Sequence, residues 1–469
     1  MNGQEILHDY FEKLALSRDK WNKRNRFYHR IIEKNFSFII PEGSRVVELG
    51  CGTGDLLNAV KPSLGIGVDF SKEMLEVATS KYPNLKFVHA DATDYKIDSE
   101  IDYVIISDLL GSLWDVQAVL HNLREWVSPR TKIIISTFNY IWQGPLHFAE
   151  FIGLKAKQPL QNWLNNKDIE NLLELEDFEI VKIDRKLLFP KYIPLVNLIF
   201  NVFLANLPGI NRLDLINFIS AKPRQKLNKE YSISIVVPAR NEKGNIENAI
   251  KKTPAFGSHQ EFIFIEGNSQ DNTYEEMLRV QKAYPDKDIK VMKQSGKGKG
   301  NAVREAFEAS SSDILMILDA DLTTPPEDMG KFYHALAQNH GEFINGCRLV
   351  YPMEKQAMRF LNYLGNKFFG WFFSYLLGQR LKDTLCGTKV LFKDDYELIK
   401  ANRSYFGDFD PFGDFDLLFG AAKLNLKMTE VIVRYRDREY GSTQISRFKH
   451  GWLLIKMSLF AAKKIKFRA

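Results

Sequence analysis

Cysteine is scarce. The 469 residues hold three, Cys51, Cys347 and Cys386, too scattered for a disulfide framework or a zinc site. A reducing cytoplasm is the simplest compartment for such a chain. Long apolar runs are lacking too: no uninterrupted stretch reaches the 18 or more strongly apolar residues of a membrane-spanning helix. The N-terminus, MNGQEILHDYFEKLALSRDKW, is charged and helix-patterned and carries no secretory signal. Acidic residues stop at Glu439, beyond which Arg447, Lys449, Lys456, Lys463, Lys464, Lys466 and Arg468 remain. These basic residues accompany apolar runs rather than a groove-like pattern, so nucleic acid is not an expected partner. What is present suits a folded protein: 45% hydrophobic residues, 26% charged, and a net charge of +6. The length exceeds one ordinary core, so two domains are expected.

The first half reads as strands alternating with helices. Residues 5–38 are helix-patterned. Arg45–Leu49 is a β signal that runs into Gly50-Cys51-Gly52-Thr53-Gly54, a turn in which the backbone can approach a ligand closely. A second strand, 65–68, ends in Asp69, whose carboxylate can accept two ribose hydroxyls. Further strands at 85–89, 101–106 and 132–136 deliver Asp91-Ala92 and Ser107-Asp108 to their ends. The alternation predicts a doubly wound parallel sheet. A helix at 165–173 and a strand at 178–183 follow. Residues 187–207, LLFPKYIPLVNLIFNVFLANL, are apolar but broken by Pro190 and Pro194, and read either as a buried hairpin or as an element lying in a membrane interface. A closing strand is expected at 216–221. Neither His89 nor His121 reads as a catalyst, and no catalytic base stands out.

The polar stretch 223–230 reads as a linker. A second αβ pattern then begins, with strands at 232–237, 261–265 and 314–318. The last of these ends at Asp319-Ala320-Asp321, before Pro325-Pro326 opens a helix. Two carboxylates one residue apart at a strand tip offer hard oxygen ligands for Mg²⁺ or Mn²⁺. The glycines and lysines of Gly296–Gly300 precede a helix and suit a diphosphate. Residues 358–377 are dense in aromatics, and the segment from Trp452 onward is basic and amphipathic. The first reads either as an interfacial helix pair or as a core helix, and the second favours an anionic membrane surface.

The motifs VVELGCGTG, GVDFS, HADATDY and ISD resemble those of the class I S-adenosylmethionine-dependent methyltransferases, over roughly residues 40–185. The resemblance implies a Rossmann-like fold and S-adenosylmethionine as cofactor. Glu48, Gly50, Gly52 and Gly54 would line its methionine side, with Asp69 at the ribose and Asp91 and Ala92 near the adenine. Ser107 and Asp108 would lie beside the amino-acid moiety. The motifs VVPARNE, EGNSQDNT, GKGKGNAV and LDADLTTPPEDM together resemble a family 2 glycosyltransferase of the GT-A fold, over about 231–450, nearest the dolichyl- or polyprenyl-phosphate sugar synthases. That implies a nucleotide sugar held by Pro238, Ala239, Arg240, Glu242, Glu266, Asp271 and Lys299. Asp319 and Asp321 would bind the metal and the donor diphosphate, and residues 383–389 would return to the site. Arg348, Arg434, Arg436, Arg438 and Ser442 would meet the acceptor phosphate, with Asp416 the candidate base for a hydroxyl acceptor. Gln444 replaces the family's lysine, and Gly267-Asn268 departs from its second acidic position.

The expected organisation is an α/β chain of two domains with interfacial amphipathic helices. Residues 1–222 form a methyltransferase domain with an apolar insertion at about 187–213. Residues 231–469 form a glycosyltransferase domain. The expected function is bifunctional: sugar transfer to polyprenyl phosphate, and methylation of a lipid-linked substrate, at the cytoplasmic face of a membrane with peripheral or monotopic attachment. The alternative keeps sugar transfer but directs it to a polysaccharide or other hydroxyl acceptor, with the first domain a scaffold or a sugar methylase. The sequence does not indicate an oligomeric state.

Overall fold

The computed structural model describes residues 3–227, 229–351, 360–405, 413–438, 440 and 447–467. Ser442, expected at the acceptor phosphate, lies outside them, as do Gln444 and the first two residues of the aromatic stretch. Internal contacts divide the chain into one unit running to Gln225 and another from Lys226 to Lys466.

The first unit is built on seven strands: β1 Arg45–Leu49, β2 Leu64–Asp69, β3 Lys86–His89, β4 Tyr103–Ser107, β5 Lys132–Phe138, β6 Phe178–Lys186 and β7 Ile216–Pro223. Their order is β3-β2-β1-β4-β5-β7-β6. The first five pair in parallel. Strand β7 enters antiparallel between β5 and β6, so the sheet is mixed rather than wholly parallel. Val46-Val47, Ile105-Ile106 and Ile133–Ile135 are fully buried, as expected where helices cover both faces. Helices α1 Gly3–Arg24 and α2 Arg26–Ile39 precede the sheet. Ile32, Phe36 and Ile39 of α2 join Val46, Ile134 and Phe218 in one core cluster. Strand order reverses between β1 and β4, and ligands of such sheets bind beyond the strand ends at that point.

The apolar insertion between β6 and β7 is not a buried hairpin. It forms a short helix Pro194–Val196, a π-helical stretch Asn197–Phe203 and two 3₁₀ turns. The Asn201 side chain pins it by bonding both the N–H and the C=O of Phe189, each at 2.8 Å. Tyr192, Ile193, Leu195, Leu198 and Phe203 remain exposed.

The second unit has β8 Ser232–Ala239, β9 His259–Glu266, β10 Asp288–Lys293, β11 Ile314–Ile317, β12 Phe343–Cys347, β13 Lys389–Phe392 and β14 Met428–Ile432, in the order β10-β9-β8-β11-β13-β12-β14. Strands β8 to β11 are parallel, whereas β13 runs antiparallel to both β11 and β12. The aromatic helix Phe360–Leu377 is core on one side: Phe373 is fully buried, with its ring 4.9 Å from that of Phe415. On its other side Leu364, Phe368 and Trp371 are exposed. It packs on the terminal helix Arg447–Ile465, which exposes Trp452, Ile455 and Leu459. Among the described residues no helix is long and apolar enough to cross a membrane.

Candidate active sites

In the first unit the turn after β1 places Gly50, Gly52 and Gly54 at φ +71°, +50° and +76°, a region other residues reach only under strain. Asp69, at the end of β2, accepts from Gly52 N at 2.8 Å and Ser71 N at 2.9 Å. Burial raises its pKa, and those two N–H groups oppose the rise. Glu48 is buried, and burial pushes its carboxyl well up. Its Oε2 has no hydrogen-bond partner, so an acceptor stands ready for a donor from outside the chain. Asp108, at φ +55°, follows β4. It accepts from Tyr28 Oη at 2.5 Å and from Ser136 Oγ at 3.3 Å, and the latter oxygen is 2.9 Å from Ser107 Oγ. Asp91 caps its own turn through Thr93 N at 2.8 Å.

Gly50, Gly52, Asp69, Asp91, Ser107 and Asp108 line two cavities, whereas Glu48 lies in neither lining. One, of about 150 Å³, is walled by Ala90, Asp91, Ala92 and Trp114. The other, of about 370 Å³, is lined by Ser107 and Asp108 together with Arg18, Tyr28 and His29 from α1 and α2. Gly50, Asp69, Phe70 and Leu109 belong to both. Gly54 stands apart from either lining, against the Phe87 ring.

In the second unit the ends of β8, β9 and β11 converge. Ala239 pairs with Glu266 across β8 and β9, following the Pro238–Ile265 pair, and Arg240 continues from β8 as an exposed residue. Glu266 accepts from Ser269 N. Asp271 accepts from Lys243 N at 3.3 Å and from Tyr440 Oη at 3.2 Å. Asp319 Oδ1 lies 2.6 Å from Lys299 Nζ. Burial alone would raise the Asp319 pKa, but that ammonium holds it below the ordinary carboxylate value. A Cβ added to Gly387 would collide with both groups, so the 383–389 segment does close over this pair. Asp321 Oδ2 lies 2.6 Å from Arg438 Nη2, and Arg438 Nη1 lies 3.0 Å from Glu242 Oε1. Burial pushes Glu242 up to about 7, with Arg438 opposing and Asp321 reinforcing the shift.

Three expected acceptor arginines are therefore already engaged by carboxylates. Arg438 bridges Asp321 and Glu242. Arg436 meets Glu327 at 3.4 Å. Arg348 forks onto Asp383 at 2.7 and 2.8 Å, with Asp383 fully buried and Arg348 11% exposed. That pair ties β12 to the returning segment and leaves its guanidinium no fork for a phosphate, contrary to expectation. Arg434 differs: it lies over the Tyr351 ring at 5.2 Å and faces solvent. Asp416 departs from its expected role as base, because its carboxylate is buried and held by Arg403 Nε at 2.8 Å. A carboxylate paired this way ties the 414–423 helix to the preceding turn.

Residues 21–183 match the family model of a methyltransferase domain, and residues 234–394 match that of glycosyl transferase family 2. The chain carries an S-adenosylmethionine-dependent methyltransferase domain and a family 2 glycosyltransferase domain. The glycosyltransferase domain is similar to the dolichol-phosphate mannosyltransferase of Pyrococcus furiosus, 31% identical over 25% of this chain and 33% of that one. It is also similar to the glycosyltransferase AglJ of Haloferax volcanii, 28% identical over 48% of this chain and 69% of that one. The methyltransferase domain is similar to the demethylmenaquinone methyltransferase of Staphylococcus saprophyticus, 30% identical over 28% of this chain and 61% of the relative. The chain thus spans a third of the length of the first relative and under two thirds of the third.

Sequence reasoning missed Arg18, Tyr28 and His29 of the methyltransferase domain. They lie in the helices before the first motif, and no local pattern marks them. The Asp108 carboxylate, which Tyr28 bonds, was the nearest available signal.

Proposed function

We propose that the glycosyltransferase domain moves a sugar from a nucleotide diphosphate sugar to polyprenyl phosphate. We propose that the methyltransferase domain methylates a lipid-linked substrate of the same pathway. The observation that carries the first step is the carboxylate–cation network at the tips of β8, β9 and β11. Asp319 and Asp321, each beside a cation, present oxygens on one strand end, and Lys299 is the first residue of a helix whose N-terminus favours phosphate. Mg²⁺ needs only one or two protein carboxylates when substrate phosphates and waters complete its shell, so Asp319 and Asp321 fit that ion or Mn²⁺. The ion would neutralise the departing diphosphate. Glu242, Glu266 and Asp271, with Pro238, Ala239 and Arg240, surround the nucleoside, and solvent-facing Arg434 meets the acceptor phosphate. A phosphate oxygen is already anionic and attacks without a general base, so the pairing of Asp416 with Arg403 removes nothing the reaction needs. Similarity to a dolichol-phosphate mannosyltransferase supports a polyprenyl phosphate acceptor.

The methyltransferase domain holds S-adenosylmethionine across its two cavities, with Asp91 and Ala92 at the adenine, Asp69 at the ribose, and Glu48, Gly50, Gly52, Ser107 and Asp108 at the methionine. S-adenosylmethionine supplies an electrophilic methyl group there. The exposed apolar sides of helices 360–377 and 447–465, and of the insertion before β7, rest on the cytoplasmic face of an anionic membrane.

Mass spectrometry of polyprenyl phosphate incubated with the protein, divalent metal, pooled nucleotide sugars and S-adenosylmethionine tests this, each component being omitted in turn. A lipid gaining sugar and methyl masses is expected. An unchanged lipid refutes the acceptor.

A further inference from the structure

The cavity of about 370 Å³ in the methyltransferase domain has a cofactor wall and a second wall. Asp69, Ser107, Asp108 and the glycine turn form the first. Arg18, His29 and Lys191 belong to the second, with Trp21, Tyr28 and Phe138 among them. The charges are unevenly distributed. Lining carboxylates Asp69 and Asp108 both sit at strand ends on the cofactor wall. Cations face them from several elements. Lys155 is neutralised by Glu150. Among the described residues Lys191 bonds only an amide oxygen, Asn25 Oδ1, at 3.4 Å. Arg18 makes no ion pair among the described residues, yet its charge acts on Tyr28, His29, Asp69 and Asp108. A half-buried guanidinium with no carboxylate of its own is a seat for an anion brought by a ligand.

His29 lies in the same wall. No described group hydrogen-bonds its ring nitrogens; its one ring contact is the edge of Tyr28, at 5.3 Å. Burial and then the Arg18 charge drive its pKa to about 4, against the pull of Asp55 from the helix after the glycine turn. Asp55 is itself spent on Lys81, Tyr82 and Thr53. The imidazole is therefore neutral near pH 7, unbonded and directed to the chamber, as a proton acceptor must be. Tyr28 cannot fill that role, because its hydroxyl donates to Asp108 and burial holds its proton on.

We propose that His29 is the general base of the methyltransferase domain, taking the proton from an acceptor hydroxyl whose neighbouring phosphoryl group is held by Arg18 and Lys191. In the step, the hydroxyl O–H bond breaks and its proton passes to a free imidazole nitrogen. The oxygen bonds the methyl carbon as the sulfonium–carbon bond breaks, leaving a neutral sulfide. The imidazolium then returns its proton to water. The two halves of the site are coupled. Burial is the larger cause of the lowered imidazole pKa and the Arg18 charge the second, so an anion seated on Arg18 offsets that second cause and strengthens the base when the acceptor is in place. The acceptor class is a hydroxyl compound bearing a phosphate or diphosphate. This deepens the reading of a lipid-linked sugar as methyl acceptor and rests on it for the identity of that compound alone.

The test uses the full chain with ring-labelled histidines, the His29 signal being assigned by its loss in His29→Gln. Inorganic pyrophosphate is the probe. The imidazole pKa is expected to rise when pyrophosphate is added. In Arg18→Met it should rise without the probe and stop responding to it. Binding of S-adenosylhomocysteine by calorimetry should be unchanged in Arg18→Met and His29→Gln. Methyl transfer to the glycosylated lipid should fall by about 10²-fold or more in His29→Gln. An imidazole pKa indifferent to pyrophosphate overturns the anion seat. A loss of S-adenosylhomocysteine affinity in Arg18→Met reassigns the guanidinium to the cofactor and overturns it equally. Full methyl transfer by His29→Gln removes the base. The titration and calorimetry need no lipid: if they succeed while the lipid stays unmethylated, the lipid-linked acceptor fails and this site stands.

Discussion

Lys299 Nζ stands 2.6 Å from Asp319 Oδ1, and the backbone of Gly387 lies against both. One residue after a Gly-rich loop, one strand tip and one returning segment thus share a single point. A methyl group at Gly387 cannot be fitted without moving the ion pair. Gly387→Ala should lower sugar transfer by about 10²-fold, the usual result of a small misplacement in a reacting constellation. Its circular dichroism should be that of the wild type. Steady-state transfer with saturating metal measures this, and unaltered turnover would remove the segment from the site.

Glu242 gives a pH-dependent stability. Its ordinary pKa is 4.5 and its folded value is about 7. Below 4.5 it is protonated folded or unfolded and has no differential effect. Between 4.5 and 7 the folded chain holds the proton more tightly, so stability falls as pH rises. Above 7 the folded state carries the whole penalty of a buried charge. Glu242→Gln should therefore raise Tm at pH 8 and leave it unchanged at pH 4, read by thermal unfolding across that range. An equal shift at both pH values would contradict the assignment.

Asp416 is buried and pairs with the partly buried Arg403. Asp416→Asn leaves the guanidinium unpaired and should cost about 3 kcal/mol in denaturant unfolding. Sugar transfer to a prenyl phosphate by the folded fraction should persist. Loss of turnover with full stability would restore Asp416 as a base.

Asp69 is held by two N–H groups with acceptor capacity left for a ligand. Asp69→Ala should weaken S-adenosylhomocysteine binding by about 10- to 100-fold, the weight of a charge-assisted hydrogen bond. Isothermal calorimetry decides it, and wild-type affinity would place the ribose elsewhere.

Phe368 and Trp371 share the exposed side of the aromatic helix. Replacing both with serine should reduce sedimentation with phosphatidylserine vesicles by at least about 10-fold, since each large apolar side chain contributes about 1.5–3 kcal/mol on leaving water. Equal sedimentation of the double variant would detach this helix from the membrane.

Local pattern made much of this legible. Apolar runs bounded by Gly, Asp and Pro locate β1 to β9 and β11, and the acids at their tips come with them. Strand β13 escaped because Lys389–Phe392 is four residues long and reverses direction between β11 and β12, which nothing local specifies. Arg348, Arg436 and Arg438 were read as one set through likeness of type. Their separate partners Asp383, Glu327 and Asp321 lie 35, 109 and 117 residues away in the chain, pairings that only the fold creates. His29 and Arg18 were invisible for the same reason: helices before the first motif carry them to the strand ends.

Lys186 and Ile216 are partners across the β6–β7 ladder, and Leu215 N still bonds Leu187 O at 2.9 Å. The whole apolar excursion therefore leaves and rejoins the sheet at one point. A detour whose two ends already touch is exchangeable: lengthening it costs only the slow logarithm of loop closure. Pro190 and Lys191, which reach the chamber, belong to that detour, whereas Asp69, Ser107 and Asp108 sit at strand ends of the sheet. Exchanging that one surface segment would reshape the side of the chamber formed by Pro190 and Lys191 while leaving the groups on α1, α2 and the strand ends in place.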